Sequence, residues 1–404
     1  MIFVEKSKGI HIMDTVYLGV ITLLRSALNA EPLKLPEDFD WDKASDLLYR
    51  HHLTGLGIQG AALCGVPRTH PTITKMTLQF CQSLKTSRLQ MQKLDEVFAL
   101  FEANNIEYLP VKGSVIKPLY PRMEYRIMGD ADILVRPDQY PLICSLLPTL
   151  GLEEKDNSDY EYTWESPVLT LELHRFLVST HFTDYFAYYE NSWQYARKCD
   201  HGSGYRLTPE AHFVYFFVHF AKHYMNGSIC AKDLCDIQVW RKAYPNMDEA
   251  YILRQISSLQ LTDFYHNILA LLDNWFNGVP ATEASELITL AAFQGGVCTD
   301  FNTSAADNVM QRHSDEADSL FQKKLKWFLH ALFPSCSTLS YAYPVLEKAP
   351  FLLPLFWVIR WFDALFRDRD KLKRGMIVMQ TDEHKFSEHT SHLDAVGLGK
   401  CKQQ

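Results

Sequence analysis

In the stretch Asp130-Ala131-Asp132-Ile133-Leu134-Val135, the apolar residues Ala131, Ile133 and Val135 alternate with Asp130 and Asp132. On a β-strand, both carboxylates therefore project from the same face. Two like charges held that close on an apolar strand repel by several kcal/mol unless a cation lies between them. The pair asks for a hard divalent ion, Mg²⁺ or else Mn²⁺. Upstream, Ile106 to Val111 reads as a short strand, followed by Lys112-Gly113-Ser114 and a helical turn from Val115 to Tyr120. A glycine between strand and helix lets a phosphate approach backbone N–H groups. The helix N-terminus and Lys112 add positive potential, and the Ser114 hydroxyl can donate.

Lys-Gly-Ser and Asp-x-Asp each occur by chance in many chains. Their order and separation, with fifteen residues between Ser114 and Asp130, say more. The arrangement resembles the nucleotidyltransferase superfamily related to DNA polymerase beta, whose signature is a Gly-Ser or Gly-Gly turn followed by Asp-x-Asp or Asp-x-Glu on a strand. That superfamily needs a third carboxylate on a neighbouring strand. Across the Ser166-Pro167 turn, Tyr160 to Glu165 and Val168 to Arg175 read as paired strands. Leu169, Leu171 and Leu173 share one face, and Thr170, Glu172 and His174 the other. Glu172 is the expected third metal ligand, with His174 in a supporting position.

The whole chain is similar to a bacterial family of uncharacterised nucleotidyltransferases. The shared blocks are Val111-Lys112-Gly113, Leu119-Tyr120-Pro121, Arg126 through Asp132, and Glu172-Leu173-His174. They continue with His219 through His223, Lys232 through Asp236, Leu332 through Ser335 and Phe351 through Arg360. The resemblance implies transfer of a nucleoside monophosphate from a nucleoside triphosphate to a hydroxyl, with pyrophosphate released. Asp130, Asp132 and Glu172 would hold two divalent ions, Gly113 and Ser114 would cradle the β- and γ-phosphates, and Lys112 and Arg126 would neutralise charge on the leaving pyrophosphate. The acceptor stays open among small alcohols, a protein hydroxyl and an RNA end. The alternative is a catalytically silent nucleotide-binding or interaction protein that keeps the fold.

At 404 residues the chain exceeds what one core supports, which is about 250 to 300 residues. The organisation expected is α+β: helices over 1–104, a small mixed-sheet nucleotidyltransferase core over 105–200, helices over 201–380 and a disordered polar tail over 381–404. With 47% hydrophobic and 22% charged residues, it has the balance of a folded globular protein. Its net charge of −8 disfavours general nucleic-acid binding, which needs Lys and Arg to neutralise several phosphates. Nine cysteines without a framework spacing fit a reducing, cytoplasmic setting. No signal peptide is read, and no apolar run is long enough to span a bilayer. The most apolar segment, Phe351 to Ile359, is read as a buried core helix in preference to a surface amphipathic one.

Flanking elements follow from periodicity and caps. Helices are expected at Val16 to Leu28, at Trp41 to His52 behind an Asp40 N-cap, and at Thr72 to Glu102. Another runs from about Asp138 to Leu150, and a nearly all-apolar one starts at Thr208-Pro209. Leu253 to Trp275 reads as one amphipathic piece, and Thr299 to Ser314 as a mobile connection. His219 and His223 stand one turn apart, as core histidines or as groups that touch nucleotide or metal. Asp233 and Asp236 are first-turn carboxylates, substrate contacts or partners for Arg126. Cys230 and Cys235 with those histidines do not match the spacing of structural zinc sites. His219, His223, Asp233 and Asp236 could alternatively form a metal-dependent phosphohydrolase centre.

Overall fold

A computed structural model describes residues 14–157, 161–179, 183–227, 229–295, 318–340, 343, 345–366 and 369–399. The residues before Asp14 and the expected connection from Thr299 to Ser314 lie outside this set. The chain is a mixed α/β structure in which one five-stranded sheet is flanked by helices.

Four helices precede the sheet: Thr15–Asn29, Trp41–Arg50, Thr54–Leu63 and Pro71–Ala103. The Asp40 carboxylate accepts from the Lys43 N–H and fixes the start of the second. The third, Thr-Gly-Leu-Gly-Ile-Gln-Gly-Ala-Ala-Leu, goes unread in the sequence because three glycines argue against a helix. Its glycines serve packing. A Cβ on Gly60 would lie 2.1 Å from the Leu23 carbonyl oxygen, so the first and third helices cross in backbone contact.

The sheet runs β1 (Tyr108–Val111), β2 (Asp130–Val135), β3 (Glu153–Asn157), β4 (Glu161–Glu165) and β5 (Thr170–His174), in the spatial order β1-β2-β5-β4-β3. The β2–β5 pair is parallel and all others are antiparallel. One face carries Ala131, Ile133, Val135, Leu169, Leu171 and Leu173. It is buried against Leu94, Val97 and Phe101 of the long helix and Ile143 and Leu147 of the helical segment after β2. Alternation then sends Asp130, Asp132, Glu172 and His174 to the opposite face. β3 and a small hairpin, β6 (Ala196–Lys198) with β7 (Tyr205–Leu207), are additions that periodicity did not reveal. They are too short and too polar to alternate visibly.

Helices Pro209–Met225, Ala231–Ala243, Glu249–Ser258, Thr262–Leu272 and Glu283–Gln294 follow. Thr208 caps the first as expected, its side chain accepting from the Ala211 N–H. The single piece expected from Leu253 to Trp275 is broken at Gln260, which adopts φ +57°. These helices share one apolar core with the N-terminal helices. Asn29 donates to the Phe276 carbonyl, Lys242 donates to the Leu28 carbonyl, and the His51 ring packs on Phe293.

Two expectations about the C-terminal quarter are corrected. Glu383–Val396 is a helix and not a disordered tail, and it buries Leu393, Val396 and Leu398 in the main core. His389 and His392 read as polar but sit on its inner face, where Tyr224 Oη lies 2.8 Å from His392 Nε2, so the apolar period was hidden. The Leu353–Phe366 helix is no core helix, since Leu355, Val358 and Phe362 are exposed. Among the described residues, no helix is long and apolar enough to cross a membrane.

The helix crossing yields a test. Gly60→Ala must push the first and third helices apart and should cost about 2–3 kcal/mol in urea unfolding at unchanged denaturant slope. A midpoint equal to wild type would mean that the crossing is loose.

Candidate functional site

Parallel pairing sets Asp132 of β2 directly beside Glu172 of β5. The two carboxylates belong to neighbouring strands on one sheet face. His174 stands two residues further along β5, with Nε2 2.9 Å from Asp132 Oδ1 and 3.7 Å from Glu172 Oε2. Its Nδ1 lies 3.5 Å from Glu161 Oε2 on β4. One ligand atom from each of Asp132, Glu172 and His174 falls within 4.8 Å of the others. Asp130 sits at the exposed start of β2 and lies outside that triad, though its charge is felt by Glu172. Asp132 is buried and Glu172 is partly so.

Burial, followed by the charges of Asp132, Asp130 and Glu161, raises the Glu172 carboxyl to about 8. Burial pushes Asp132 in the same direction, but the Lys112 ammonium and the His174 ring outweigh it and hold that carboxyl well below the usual range. Negative charge is thus gathered beyond what the nearby cations offset.

Lys112 is placed by a backbone that most residues avoid. At the end of β1 it takes φ +50° and ψ −119°. Its carbonyl accepts from the N–H groups of Val115 and Ile116, and its own N–H donates to His212 Nε2 at 3.3 Å. Burial lowers His212 to about 3, so its ring stays neutral and can accept. These bonds hold the strained residue, and its ammonium donates to Asp132 Oδ1.

Gly113 follows, and a Cβ there would lie 2.8 Å from an Arg126 guanidinium nitrogen and 3.2 Å from Met128 Cγ. The glycine lets Arg126 approach the turn. Ser114 Oγ donates to the Val111 carbonyl at 3.0 Å, which ties the turn to β1 and commits the hydroxyl to structure. Arg126 grips Asp236 through Nε and a terminal nitrogen at 2.9–3.3 Å, with Tyr120 Oη donating to the same carboxylate at 2.6 Å. The pairing of Arg126 with an acid is therefore the one formed. It joins the segment before β2 to the Ala231–Ala243 helix.

A cavity of about 230 Å³ opens between sheet and helices. Lys112, Gly113, Arg126, Gly129, Asp130 and Asp132 line one side. His219 and His223 from one helix, and Cys230, Lys232, Asp233 and Asp236 from the next, line the other. Glu172, His174 and Ser114 are not among its walls; the first two stand beside Asp132. His219 and His223 face the cavity with their Nε2 atoms 2.7 Å apart, so one ring donates and the other accepts. Burial, and then nearby lysines, lower His223 to about 3 and His219 well below its usual range, leaving a neutral pair. Asp233 accepts from the Cys230 N–H as a helix cap, and burial raises its carboxyl. Among the described residues, the grouping of possible metal ligands is Asp132, Glu172 and His174. The Cys230/Cys235 and His219/Asp236 alternatives do not assemble.

Carboxylate oxygens and an imidazole suit a hard or borderline divalent cation, and Lys112 Nζ stands on Asp132 as such a cation would. The donor set fits the ion. Sequence reasoning missed Lys117 and assigned no role to Tyr120. Lys117 is wholly buried, donates to the Arg126 carbonyl at 2.6 Å and is lowered by burial to about 8. A lysine five residues past Lys112 carries no periodic sign of burial. Tyr120 lay inside a matched block and was the better signal.

Two measurements test this arrangement. Asp236→Asn leaves Arg126 buried without its charge partner and should cost about 3–5 kcal/mol in urea unfolding. Glu172, raised to about 8 when folded, binds its proton more tightly than the unfolded chain does. Its contribution is full below the ordinary carboxylate range and is lost as pH climbs through about 8. In EDTA, the wild-type melting midpoint should therefore fall with rising pH by roughly 2–4 °C more than that of Glu172→Gln, and Mg²⁺ or Mn²⁺ should restore it.

No curated protein and no solved structure matches the chain. A family model described as uncharacterised nucleotidyltransferase matches residues 37–277, a span that contains all five strands, the Lys112-Gly113 turn and both helices that close the cavity. With the carboxylates, turn and cavity so placed, the chain belongs to the uncharacterised nucleotidyltransferase family.

Proposed function

We propose that the protein moves a nucleoside monophosphate from a nucleoside triphosphate to a hydroxyl acceptor, releasing pyrophosphate. The observation that carries this reading is the juxtaposition of Asp132 and Glu172 across a parallel strand pair, beside a cationic glycine turn that lines a cavity. Asp132 and Glu172, with His174 beside them, are the residues that would hold Mg²⁺ or Mn²⁺, and the exposed Asp130 is the further carboxylate within reach of the cavity. Bound there, a divalent ion neutralises polyphosphate charge and lowers the pKa of an attacking hydroxyl.

The chain's own groups have separable tasks. Lys112 releases Asp132 and turns its ammonium to the triphosphate, exchanging one anion for another inside the same cavity. Gly113 leaves room for a phosphate against the turn, where the Arg126 guanidinium supplies fixed positive potential. Arg126 does this from within its ion pair, so it is held in place before substrate arrives. The acceptor oxygen bonds to the α-phosphorus as the bond to the pyrophosphate oxygen breaks in line. Lys232, Asp233, His219 and His223 form the opposite wall, where acceptor choice is made.

The competing reading, a nucleotide-binding protein that turns nothing over, draws on Asp132 Oδ1 already being satisfied by Lys112 and His174. Incubation with Mg²⁺ and labelled nucleoside triphosphates separates the two. Pyrophosphate release or label transfer is expected, and Asp132→Asn should cut it on the order of 10³-fold or more with the fold intact by circular dichroism. Saturable binding without release in the presence of candidate hydroxyl acceptors would favour the silent reading.

A further inference from the structure

Residues 318–380 lie beyond the family match and carry much of the exposed apolar surface. On the helix Leu320–Leu332, Phe321, Leu325, Phe328 and Leu329 recur on one face and are 73%, 45%, 44% and 47% exposed. Lys326 stands exposed beside that stripe, whereas the two lysines before it turn toward the protein. Lys323 is buried with its ammonium 4.8 Å from the Phe386 ring centre, and Lys324 donates to the Met379 carbonyl at 2.7 Å. A surface helix ordinarily turns its apolar side inward, as Leu320 and Trp327 do here against Val378; this one carries a second apolar stripe outward.

The pattern repeats on the next long helix. Leu355, Val358, Ile359 and Phe362 form an outward stripe that Phe351, in the Pro350–Leu352 turn before the helix, extends, with Phe351 79% and Phe362 59% exposed. Trp357 and Trp361 turn inward instead, donating to the Pro334 and Leu332 carbonyls at 2.9 Å, while Arg360 donates to the Ala331 carbonyl at 2.8 Å. Carbonyls at the end of the first helix, which would otherwise need water, are satisfied inside the arm. Phe333 joins the two helices, its ring packed edge-on against both tryptophans.

Contiguous exposed apolar side chains on a water-soluble surface mark a contact face. Charge identifies its occupant. Between 318 and 380 there are ten Lys and Arg against five Asp and Glu, in a chain whose net charge is −8. A basic, aromatic-rich pair of helices with internally satisfied polar groups matches the requirements of an anionic bilayer interface. We propose that the helices Leu320–Leu332 and Leu353–Phe366, with the Pro350–Leu352 turn, form an amphipathic arm that seats Phe321, Leu325, Phe351, Leu355 and Phe362 into the surface of an anionic lipid membrane, without spanning it. This assignment does not depend on the reaction proposed above.

The full chain would be centrifuged with vesicles of phosphatidylcholine alone and of phosphatidylcholine mixed with phosphatidylglycerol. At low salt, the bound fraction should correspond to an affinity at least about tenfold higher for the anionic vesicles, and high salt should erase that preference. The triple variant Phe351→Ser, Leu355→Ser, Phe362→Ser should keep the wild-type melting midpoint, since those side chains are already exposed, and should stay in the supernatant. The proposal is overturned if the wild type fails to sediment with either vesicle, binds both equally, or binds as well after the triple substitution. It is also overturned if light scattering shows a wild-type dimer that becomes monomeric in the variant, which would assign the face to a second copy of the chain.

Discussion

Everything at the site depends on placing two carboxylates side by side where water is scarce. Asp132 and Glu172 are registered partners on a parallel strand pair, and their backbones cannot move apart without breaking the sheet. The repulsion therefore has to be answered by cations or protons. Lys112 and His174 keep Asp132 ionised, and the excess falls on Glu172, whose carboxyl rises to about 8. The sheet face is consequently electrostatically incomplete in a way that a divalent cation would complete.

A second constraint holds the turn against that face. Lys112 adopts a backbone conformation that costs about 1–3 kcal/mol, maintained by the helix start after it and by a neutral, buried His212. Gly113 then permits Arg126 to reach the turn, and Arg126 is fixed by Asp236 and Tyr120. A buried ion pair of this kind contributes little net stability, because desolvating both charges offsets their attraction. Its effect is positional. It ties the loop before β2 to the Ala231–Ala243 helix, so sheet and helices form one cavity.

Much of this was legible in the sequence, for a definite reason. A strand alternates strictly, so spacing alone could pair Asp130 with Asp132 and Glu172 with His174 on one face of each strand, while the resemblance implied, and strand pairing set, that the two faces coincide. Caps at Asp40 and Thr208 were equally visible, because the side-chain oxygen and the N–H it accepts from are three residues apart. The glycine-rich third helix and the histidine-bearing final helix were not visible. In both cases, residue types that argue against a buried helix are overridden by a neighbour that becomes adjacent only after folding: the Leu23 backbone in one and Tyr224 in the other.

What the sequence determined by itself is the local chemistry: which acids of a strand share a face, and where the chain turns. Only the tertiary structure decided the partnerships. It gave Lys112 to Asp132, gave Arg126 to Asp236, took Ser114 out of the cavity for a backbone carbonyl, and placed the apolar stripes of residues 318–380 outside the core. The physical reason is competition. Periodicity and capping report on faces and helix ends, whereas the choice among competing partners, from Val111 three residues before Ser114 to Asp236 110 residues after Arg126, depends on which groups folding brings together.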